Sequence, residues 1–461
     1  MQDITGEPAV GHGAADTAGT GRLLESLTRT GLSVLAGSDP SLRKLAEREL
    51  SRQRAQLNLV AASSPPSPDV LAAQALGLSA LTAEGYPGRR YHPGTEVIDA
   101  VERLAIERAK LLFGADHANV QPLSGSAANL AVLFGLLEPG DSVLSMELSH
   151  GGHLSHAARP ASTTKHFGAA YYRLGADGTL DLDHVREQAR AVRPAVLMCG
   201  GSAYPRTIDF PSFRAVADEV GALLIGDISH ISGLVATGIH PTPFPYCDLV
   251  TTSTYKQLRG PHGGLVLRGP GSRVPGGKLD TWVFPGFQGT PDFGMVAAKA
   301  AALGNALRPA FAVAMERVAR FAGLFADAFT ARGLRLVTGG TDTHMVLVDL
   351  SDGSATGRTV SRVLEQIGIL ANKNLIPNDP RPASETSGLR IGTNHLAFMD
   401  VDDQDVSRLA RGIADLVAEL SRGGGADRHP GCPALHRLEE HAAAVVSAGH
   451  RADFAEGVPA P

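Results

Sequence analysis

Five short apolar segments between residues 142 and 267 constrain the fold of this chain more than any other feature. They show no alternation of apolar and polar positions, which is typical of strands buried on both faces of a sheet. Helical patterns such as PSFRAVADEVG lie between several of them. This alternation predicts an α/β protein with an open, mostly parallel sheet covered by helices on both faces. The segments are SVLSM (142–146), AVLMCG (195–200), ALLIGD (222–227), DLVTTST (248–254) and GGLVL (263–267).

The pattern changes after about residue 310. A long helix (AMERVARFAGLFADAFTARG) precedes an alternating strand (THMVLVDL), a second helix (VSRVLEQIG) and LRIGT. We therefore predict a large domain over residues 61–310 and a smaller α+β domain over 311–420, in keeping with the length of 461 residues. Residues 23–60 are predicted to form an N-terminal helical arm and 421–461 a C-terminal extension. Residues 1–22, rich in Gly, Ala and Thr, are predicted to be disordered.

Composition excludes several classes of protein. The net charge of −5 does not suggest a nucleic-acid or anionic-membrane partner, and no apolar run is long enough to cross a bilayer. The three cysteines, Cys199, Cys247 and Cys432, form no CxxC pair, so neither a disulfide framework nor a zinc ribbon is expected. With no recognisable signal segment at the N-terminus, these features predict a cytoplasmic protein.

The first candidate site is Ser124-Gly125-Ser126, which stands before an apolar helix (LAVLFGLLEPG). Small hydroxyl residues and a glycine at a helix N-terminus can bind a phosphate through free N–H groups and hydroxyl donors. Helix capping by serine explains the same pattern, and the absence of GxxxxGK[ST] argues against a nucleotide P-loop.

Two charged residues follow the ends of predicted strands. Asp227 ends ALLIGD and requires a cationic partner, which is either an arginine or the protonated ring nitrogen of a cofactor. Lys256 follows four hydroxyl residues in TTSTYK. A desolvated lysine has a lowered pKa and can form an imine with a carbonyl, although a lysine past the strand end can also be a plain surface residue.

Three histidines follow the strand SVLSMEL in the order HGGHLSH (150–156). Their spacing permits a zinc site, but we predict no metal, because the loop is rich in glycine and no cysteine lies nearby in sequence. Stacking of an imidazole on an aromatic cofactor is the favoured functional interpretation, and a hydrogen-bonded loop histidine is the alternative. A phosphate cradle, a carboxylate, a lysine and a stacking imidazole are together the groups that pyridoxal 5′-phosphate requires.

From about Leu57 to Val417 the chain resembles the serine hydroxymethyltransferase family, pyridoxal-phosphate enzymes of fold type I. The resemblance implies a large domain with a seven-stranded, mostly parallel sheet and a smaller C-terminal domain. The matching stretches are AEGYPGRRY (83–91), ERLAIERAKLLFGADHANVQPLSGSAANLAV (102–132), LSHGGHLSHA (148–157), SAYPRTIDF (202–210), GDISHISGLVATGIHP (226–241), DLVTTSTYKQLRGPHGGLVL (248–267), VFPGFQGTP (283–291), GGTDTHMVLVDL (339–350), NKNLIPND (372–379) and TSGLRIGT (386–393).

The resemblance implies roles for the residues that bind the cofactor. Lys256 matches the lysine that carries the cofactor, Asp227 the partner of the pyridine nitrogen and His153 the stacking histidine. The phosphate cradle matches Ser124, Gly125 and Ser126, and Gly289 with Thr290 of the neighbouring subunit is expected to complete it. Ser202 and His230 match groups near the phenolic oxygen and the substrate carboxylate.

It also implies roles on the substrate side. Arg390 matches the carboxylate clamp, a role suited to a bidentate guanidinium. Glu84 matches the acid/base glutamate, which in this family reaches across the interface of a homodimer with shared active sites. Asn374 lies in the segment that resembles the contact to tetrahydrofolate, the candidate cosubstrate.

This sequence departs from the family's motifs mainly on the substrate side. IASENY reads Val60–Pro65, and two tyrosines of YAEGYPGKRYY are replaced by Thr82 and His92. The histidine before the lysine in THKT is replaced by Tyr255, and the second glycine of GGP by Thr290. We interpret Thr82 and His92 as substrate-binding residues and expect the changes to affect substrate choice while the reaction type is kept.

Three functions remain open from the sequence. The default is serine/glycine hydroxymethyl transfer with tetrahydrofolate. The second is the same cleavage of a Cα–Cβ bond on another partner, as in a 2-methylserine hydroxymethyltransferase or a threonine transaldolase. The third is a non-catalytic homologue that binds the cofactor.

Overall fold

The computed structural model describes residues 17–423 and 433–451. Helices cover both faces of the large sheet, and further helices pack on a smaller one. The helices are α1 (Thr17–Ser38), α2 (Pro40–Ala55), α3 (Pro68–Gln74), α4 (Glu96–Phe113), α5 (Gly125–Leu136), α6 (Leu182–Val192), α7 (Phe210–Val220), α8 (Ser232–Ala236), α9 (Gly276–Val283), α10 (Phe293–Ala306), α11 (Pro309–Ala331), α12 (Gly357–Gln366), α13 (Asp403–Arg422) and α14 (Pro433–Arg451).

The strands are β1 (Leu57–Asn58), β2 (Gly85–Tyr86), β3 (Arg89–Arg90), β4 (His117–Asn119), β5 (Ser142–Met146), β6 (Gly168–Tyr172), β7 (Val196–Cys199), β8 (Leu223–Asp227), β9 (Leu249–Ser253), β10 (Gly264–Arg268), β11 (Arg335–Leu336), β12 (Met345–Asp349), β13 (Ile369–Leu370), β14 (Asn372–Asn374) and β15 (Gly388–Gly392). The large sheet has seven of these strands in the order β4-β10-β9-β8-β7-β5-β6. Strands β9, β8, β7, β5 and β6 run parallel to one another, whereas β10 pairs antiparallel with β9 and β4.

The predicted α/β architecture with a mostly parallel sheet is confirmed. All five apolar segments form strands, β5 and β7 to β10, and their residues are almost completely buried. Two strands of the sheet were not predicted, because β4 has only three residues and β6 (GAAYY) is half exposed at the edge. Apolar runs indicate only strands that are covered on both faces.

A second sheet, in the order β11-β12-β15-β14, forms the smaller C-terminal unit and is antiparallel throughout. Its apolar cluster is separate from that of the large sheet and includes residues of α11, α12 and α13. Leu57 and Leu59 are buried in the same cluster, because β1 pairs with β13. The end of the N-terminal arm is therefore built into the smaller sheet's core.

The chain ends add two features to this core. Helix α14 buries Leu438, Ala442 and Val445 against α13, so the described part of the C-terminal extension packs on the smaller unit. Helix α1 begins at Thr17, and the rest of the predicted disordered tail, residues 1–16, lies outside the described residues. The domain boundaries proposed from the sequence stay predictions.

None of the helices that the structure describes combines the length and the apolar character needed to cross a bilayer.

Candidate active site

A cleft of about 100 Å³ opens where β7, β8 and β9 end and α5 begins. This is the edge of an open parallel sheet where ligands bind, because the carboxyl ends of the strands meet there. Most of the cofactor-binding residues predicted from the sequence line this one cleft. The cleft is lined by Ser124, Gly125, Ser126, His153, His156, Gly201, Ser202, Asp227, Ser229, His230, Ser253, Tyr255, Lys256 and His262.

The predicted phosphate cradle forms the N-terminus of α5. Ser124 is the cap, and its Oγ accepts from the amide of Ala127 at 3.0 Å. A Cβ at Gly125 would lie 3.1 Å from Cβ of Ser253, so a larger residue would crowd this wall. The buried hydroxyl of Ser253 has no hydrogen-bond partner among the described residues. Free helix amides and an unpaired hydroxyl meet here, which suits a bound anion.

Asp227 ends β8 and is held by three donors. Its Oδ2 accepts from Nε2 of His156 at 2.7 Å and from Nδ2 of Asn129 at 2.8 Å. Its Oδ1 accepts from the amide of Ser229 at 2.9 Å. Burial alone would raise the pKa of this carboxyl, but the hydrogen bond and charge of His156 hold the pKa well below its usual range. Asp227 is therefore a fixed anion on the wall of the cleft.

His153 is held in the cleft by its neighbour Ser155. Its Nδ1 accepts from the hydroxyl of Ser155 at 2.7 Å and from the amide of Ser155 at 3.2 Å. Asn129 donates to the same hydroxyl at 2.9 Å, and Thr251 donates to Oδ1 of Asn129. Burial, with the nearby His156, lowers the pKa of His153 to about 4, so the ring is neutral at pH 7.

The ring nitrogens of His153 and His156 and a carboxylate oxygen of Asp227 lie within 4.8 Å of one another. His156 already donates to Asp227, and Nδ1 of His153 is bonded to Ser155. Because these atoms are already hydrogen-bonded to protein groups, the geometry favours a hydrogen-bonded network over the zinc site considered for HGGHLSH. This network holds a neutral ring and a carboxylate at the wall of the cleft.

Lys256 lies at the floor of the cleft and is only 5% exposed. Burial lowers the pKa of its ammonium to about 8, although the charge of Asp227 acts in the opposite direction. Tyr255 stacks on His262 with 4.0 Å between ring centroids and 13° between planes. Nζ of Lys256 lies 5.7 Å from the centre of the Tyr255 ring. A side chain that is easily deprotonated thus points at the space that the cradle and Asp227 enclose.

Arg390 comes from β15 of the smaller sheet and reaches the cleft at Ser202. Its Nη1 donates to the carbonyl of Ser202 at 2.5 Å, and its Nε to Oδ1 of Asn372 at 3.2 Å. Burial lowers the pKa of Arg390 to about 10, which leaves it a cation at neutral pH. Asn374 lies on the adjacent strand β14, where its amide donates to the carbonyl of Leu375.

His230 is paired with a residue that the sequence did not single out, His344. Nδ1 of His230 lies 3.3 Å from Nε2 of His344, which also lies 3.1 Å from the carbonyl of Ala61. A carbonyl only accepts, so Nε2 of His344 carries the hydrogen and His230 accepts at Nδ1. Burial lowers the pKa of both rings, that of His344 to about 3. His230 is therefore neutral and carries its hydrogen on Nε2.

The other candidate residues form a separate group outside this cleft. Thr82 and Gly289 are exposed, and Glu84 and His92 are half-buried. A Cβ at Gly289 would lie 3.4 Å from Oε1 of Glu84, and Nδ1 of His92 accepts from the amide of Glu84 at 3.3 Å. Within one chain the structure thus divides the predicted site into two groups. The lysine group is the set of predicted residues that line the cleft around Lys256, and the glutamate group comprises Thr82, Glu84, His92 and Gly289.

Sequence reasoning did not assign roles to Asn129, Ser155, His156 or His344. The spacing HxxHxxH was the available signal for His156, but its contact with Asp227 joins a loop to the end of a distant strand. Asn129 lies within an apolar helix pattern, where a single amide gives no functional signal.

Comparison with known proteins agrees with these observations. A sequence model of the family described as "Serine hydroxymethyltransferase" matches residues 35–413. A serine hydroxymethyltransferase of Synechococcus sp. is 49% identical over 404 residues, which cover 84% of this chain and 92% of the relative. One of Nostoc sp. is 48% identical over 390 residues, covering 84% and 91%. One of Crocosphaera subtropica is 47% identical over 392 residues, covering 85% and 91%. On this match and the geometry of the cleft, the chain belongs to the serine hydroxymethyltransferase family of fold-type I pyridoxal-phosphate enzymes.

Proposed function

We propose that the two groups of residues described above act together, across a subunit interface, in hydroxymethyl transfer between serine and glycine. Membership of the family makes the chain a pyridoxal-phosphate-dependent transferase with tetrahydrofolate as cosubstrate. The roles of individual residues rest on one observation above all. Lys256, Asp227, His153 and the Ser124–Ser126 turn all line one cleft.

The residues of this cleft fit pyridoxal phosphate. The turn at the start of α5 offers helix amides and serine hydroxyls to the phosphate, and the unpartnered Ser253 hydroxyl adds a further donor. Asp227, kept ionised by His156, suits a protonated ring nitrogen. The neutral face of His153 suits stacking on the ring, and Lys256 suits the covalent bond to the aldehyde.

Pyridoxal phosphate, when bound, supplies an electron sink for the bond that breaks at the amino acid's α-carbon. Arg390 and the Nε2–H of His230 would bind the substrate carboxylate, and thereby orient the Cα–Cβ bond. Asp227 stabilises positive charge at the ring nitrogen and Lys256 accepts or returns protons close to the α-carbon. Glu84 would take the proton of the β-hydroxyl as formaldehyde leaves.

A homodimer with shared sites would bring the glutamate group to the cleft of the partner subunit. The exposed face of α4 supports this arrangement, because Val97, Leu104 and Leu111 recur every seven residues and are 73%, 45% and 72% exposed. Tyr91, next to the glutamate group, is 75% exposed. Several exposed apolar side chains on one helix face favour an interface there. Gly289 and Thr290 would then complete the partner's phosphate cradle.

Two further predictions belong to this proposal. Asn374, on the strand beside Arg390, would contact tetrahydrofolate. A cytoplasmic location is proposed from the sparse cysteine content, and Cys199 and Cys247 are free and buried in the structure.

A second candidate function, a variant amino-acid substrate, is supported by Thr82. Thr82 stands two residues from Glu84 and is exposed. Because it replaces the tyrosine of the family's motif, the group that would face the substrate has one aromatic ring fewer. Space released beside Glu84 would admit an α-methyl group, as in 2-methylserine, or another aldehyde, as in threonine transaldolation.

The proposed function is tested by incubating the purified holoenzyme with serine, 2-methylserine and threonine, each with and without tetrahydrofolate. Tetrahydrofolate-dependent formation of glycine from serine as the fastest reaction supports the default. Faster turnover of 2-methylserine or threonine supports the variant. A protein that shows the visible absorption of the bound cofactor but turns over none of the three would be the non-catalytic homologue.

A further inference from the structure

We infer that His92 and Thr290 are positioning residues that together fix the backbone carrying Glu84. Both stand where this sequence departs from the family's motifs, which have a tyrosine and a glycine at these positions. The inference rests on the acid/base role proposed for Glu84 and names the groups that set its geometry.

The two residues accept from adjacent amides. The N–H of Ala83 donates to Oγ1 of Thr290 at 3.0 Å, and the N–H of Glu84 donates to Nδ1 of His92 at 3.3 Å. Ala83 is fully buried, so its amide would be left without a partner if the hydroxyl were removed. The family's glycine has no side chain to supply this acceptor, so Thr290 provides a hydrogen bond that the usual motif does not.

The carbonyl side of the same segment is held independently. The carbonyl of Glu84 accepts from the amide of Tyr91 at 3.0 Å. Those of Ala83 and Gly85 accept from Nη1 of Arg90 at 3.2 and 2.7 Å. Because Arg90 is itself paired with two buried carboxylates, this side is rigid. His92 and Thr290 complete the restraint on the amide side.

Thr290 also connects Gly289 to the segment of Glu84, and both residues are proposed to reach the same partner cleft. Gly289, its neighbour, lies against the carboxylate of Glu84, since a Cβ there would be 3.4 Å from Oε1. The Gly289–Thr290 segment therefore binds the backbone at Ala83, next to the glutamate, and lies beside the side-chain carboxylate of Glu84. A shift of this segment would therefore be expected to move Glu84, and a displacement of about 1 Å at a reacting group can reduce a rate by two orders of magnitude.

The test compares variants that remove the acceptor with variants that keep it. Thr290→Val and His92→Leu remove it, whereas Thr290→Ser and His92→Asn retain an oxygen acceptor. We expect kcat for serine cleavage to fall about fivefold or more in the first pair, and the second pair to recover most of that loss because the acceptor is kept. Glycine binding, followed by visible absorption of the holoenzyme, should change much less than kcat, because glycine has no β-hydroxyl for Glu84 to act on. Cofactor dissociation is measured alongside, because Thr290 is also proposed to lie at the partner's phosphate cradle, and a loss of kcat that follows cofactor loss alone contradicts the positioning role. The double variant Thr290→Val/His92→Leu should lose less than the product of the single effects, since both substitutions loosen the same two-residue segment.

Glu84→Gln separates the failure of this inference from that of the proposed function. Full activity of Glu84→Gln would contradict the acid/base role of Glu84, and with it the proposed function of the glutamate group. If Glu84→Gln is inactive while Thr290→Val and His92→Leu match wild type, the positioning inference is wrong. The inference is also wrong if kcat falls as much in Thr290→Ser as in Thr290→Val. It is wrong, too, if Thr290→Val and His92→Leu lose glycine affinity by the same factor as kcat. Should Thr290→Val fail to fold, Thr290→Gly, which carries the family's own residue, provides the same comparison with Thr290→Ser.

Discussion

His156 donates from Nε2 to Oδ2 of Asp227 at 2.7 Å, and both side chains are buried. The imidazole comes from the loop after β5 and the carboxylate from the end of β8, so the contact fixes the anion that faces the cleft. It is also the main favourable influence that keeps the pKa of Asp227 low against the effect of burial.

Replacing His156 by leucine should therefore weaken cofactor binding. One hydrogen bond to a charged group contributes about 1.5–3 kcal/mol, which corresponds to a rise of roughly tenfold or more in the dissociation constant. The constant is measured by equilibrium dialysis of pyridoxal phosphate against the apoenzyme. His150→Leu is the matched control, because His150 is buried in the same loop but accepts from Leu174 instead. Unchanged affinity in His156→Leu would contradict the assignment.

The pKa of Lys256 predicts how cofactor loading depends on pH. Only the neutral amine attacks the aldehyde, and burial lowers the pKa of Lys256 from its usual range to about 8. The neutral fraction, and with it the loading rate of the apoenzyme, should rise about tenfold per pH unit below 8 and level off above it. Because Asp227 raises this pKa, Asp227→Asn should move the midpoint to lower pH. The rate is followed by visible absorption after mixing. A rate that still rises steeply above pH 10 would mean that an ordinary exposed lysine reacts.

The proposed sharing of sites predicts complementation between inactive variants. Lys256→Ala lacks the amine that would hold the cofactor, and Glu84→Gln lacks the carboxylate that would act as the acid or base. After the two proteins are unfolded and refolded together, a mixed dimer contains one cleft with intact Lys256 that faces an intact Glu84. Activity should therefore return on mixing, whereas each variant refolded alone stays inactive. Absence of recovery, with mixed dimers demonstrated by differently tagged subunits, would place both residues in the same subunit's site.

Restoring the ring at position 82 tests the steric basis of substrate choice. In Thr82→Tyr we expect the ratio of kcat/KM for 2-methylserine to that for serine to fall by about tenfold, the effect of one methyl group that no longer fits a pocket. Thr82→Ser, which keeps the side chain small, is the control. If Thr82→Tyr leaves this ratio as it is in wild type, residue 82 does not limit the α-substituent.

Sequence reasoning predicted the sheet and the cleft where the physical signal is local. Strands buried on both faces are continuous apolar runs, and Lys256 and Asp227 attract notice because charges at the ends of such strands are costly. The edge strand β6 and the three-residue β4 lack that signal.

Contacts between distant segments could not be predicted in the same way. His156 contacts Asp227, and His344, just before β12, contacts His230, only because tertiary packing brings distant segments of the chain together. The separation of Glu84 from the cleft of its own chain likewise depends on the folded arrangement, although the family resemblance had implied it.

The identity of the lysine that carries the cofactor is the most direct test of the account. Sodium borohydride fixes pyridoxal phosphate irreversibly to that lysine, and mass spectrometry of the digested holoenzyme locates the label. We predict the label on Lys256 and its loss in Lys256→Ala. The other strongly buried lysine, Lys299, donates to the carbonyls of Val120, Pro122 and Gly264 and should stay unlabelled. A label on Lys299 or on any surface lysine, with Lys256 unmodified, would contradict the assignment of the cleft.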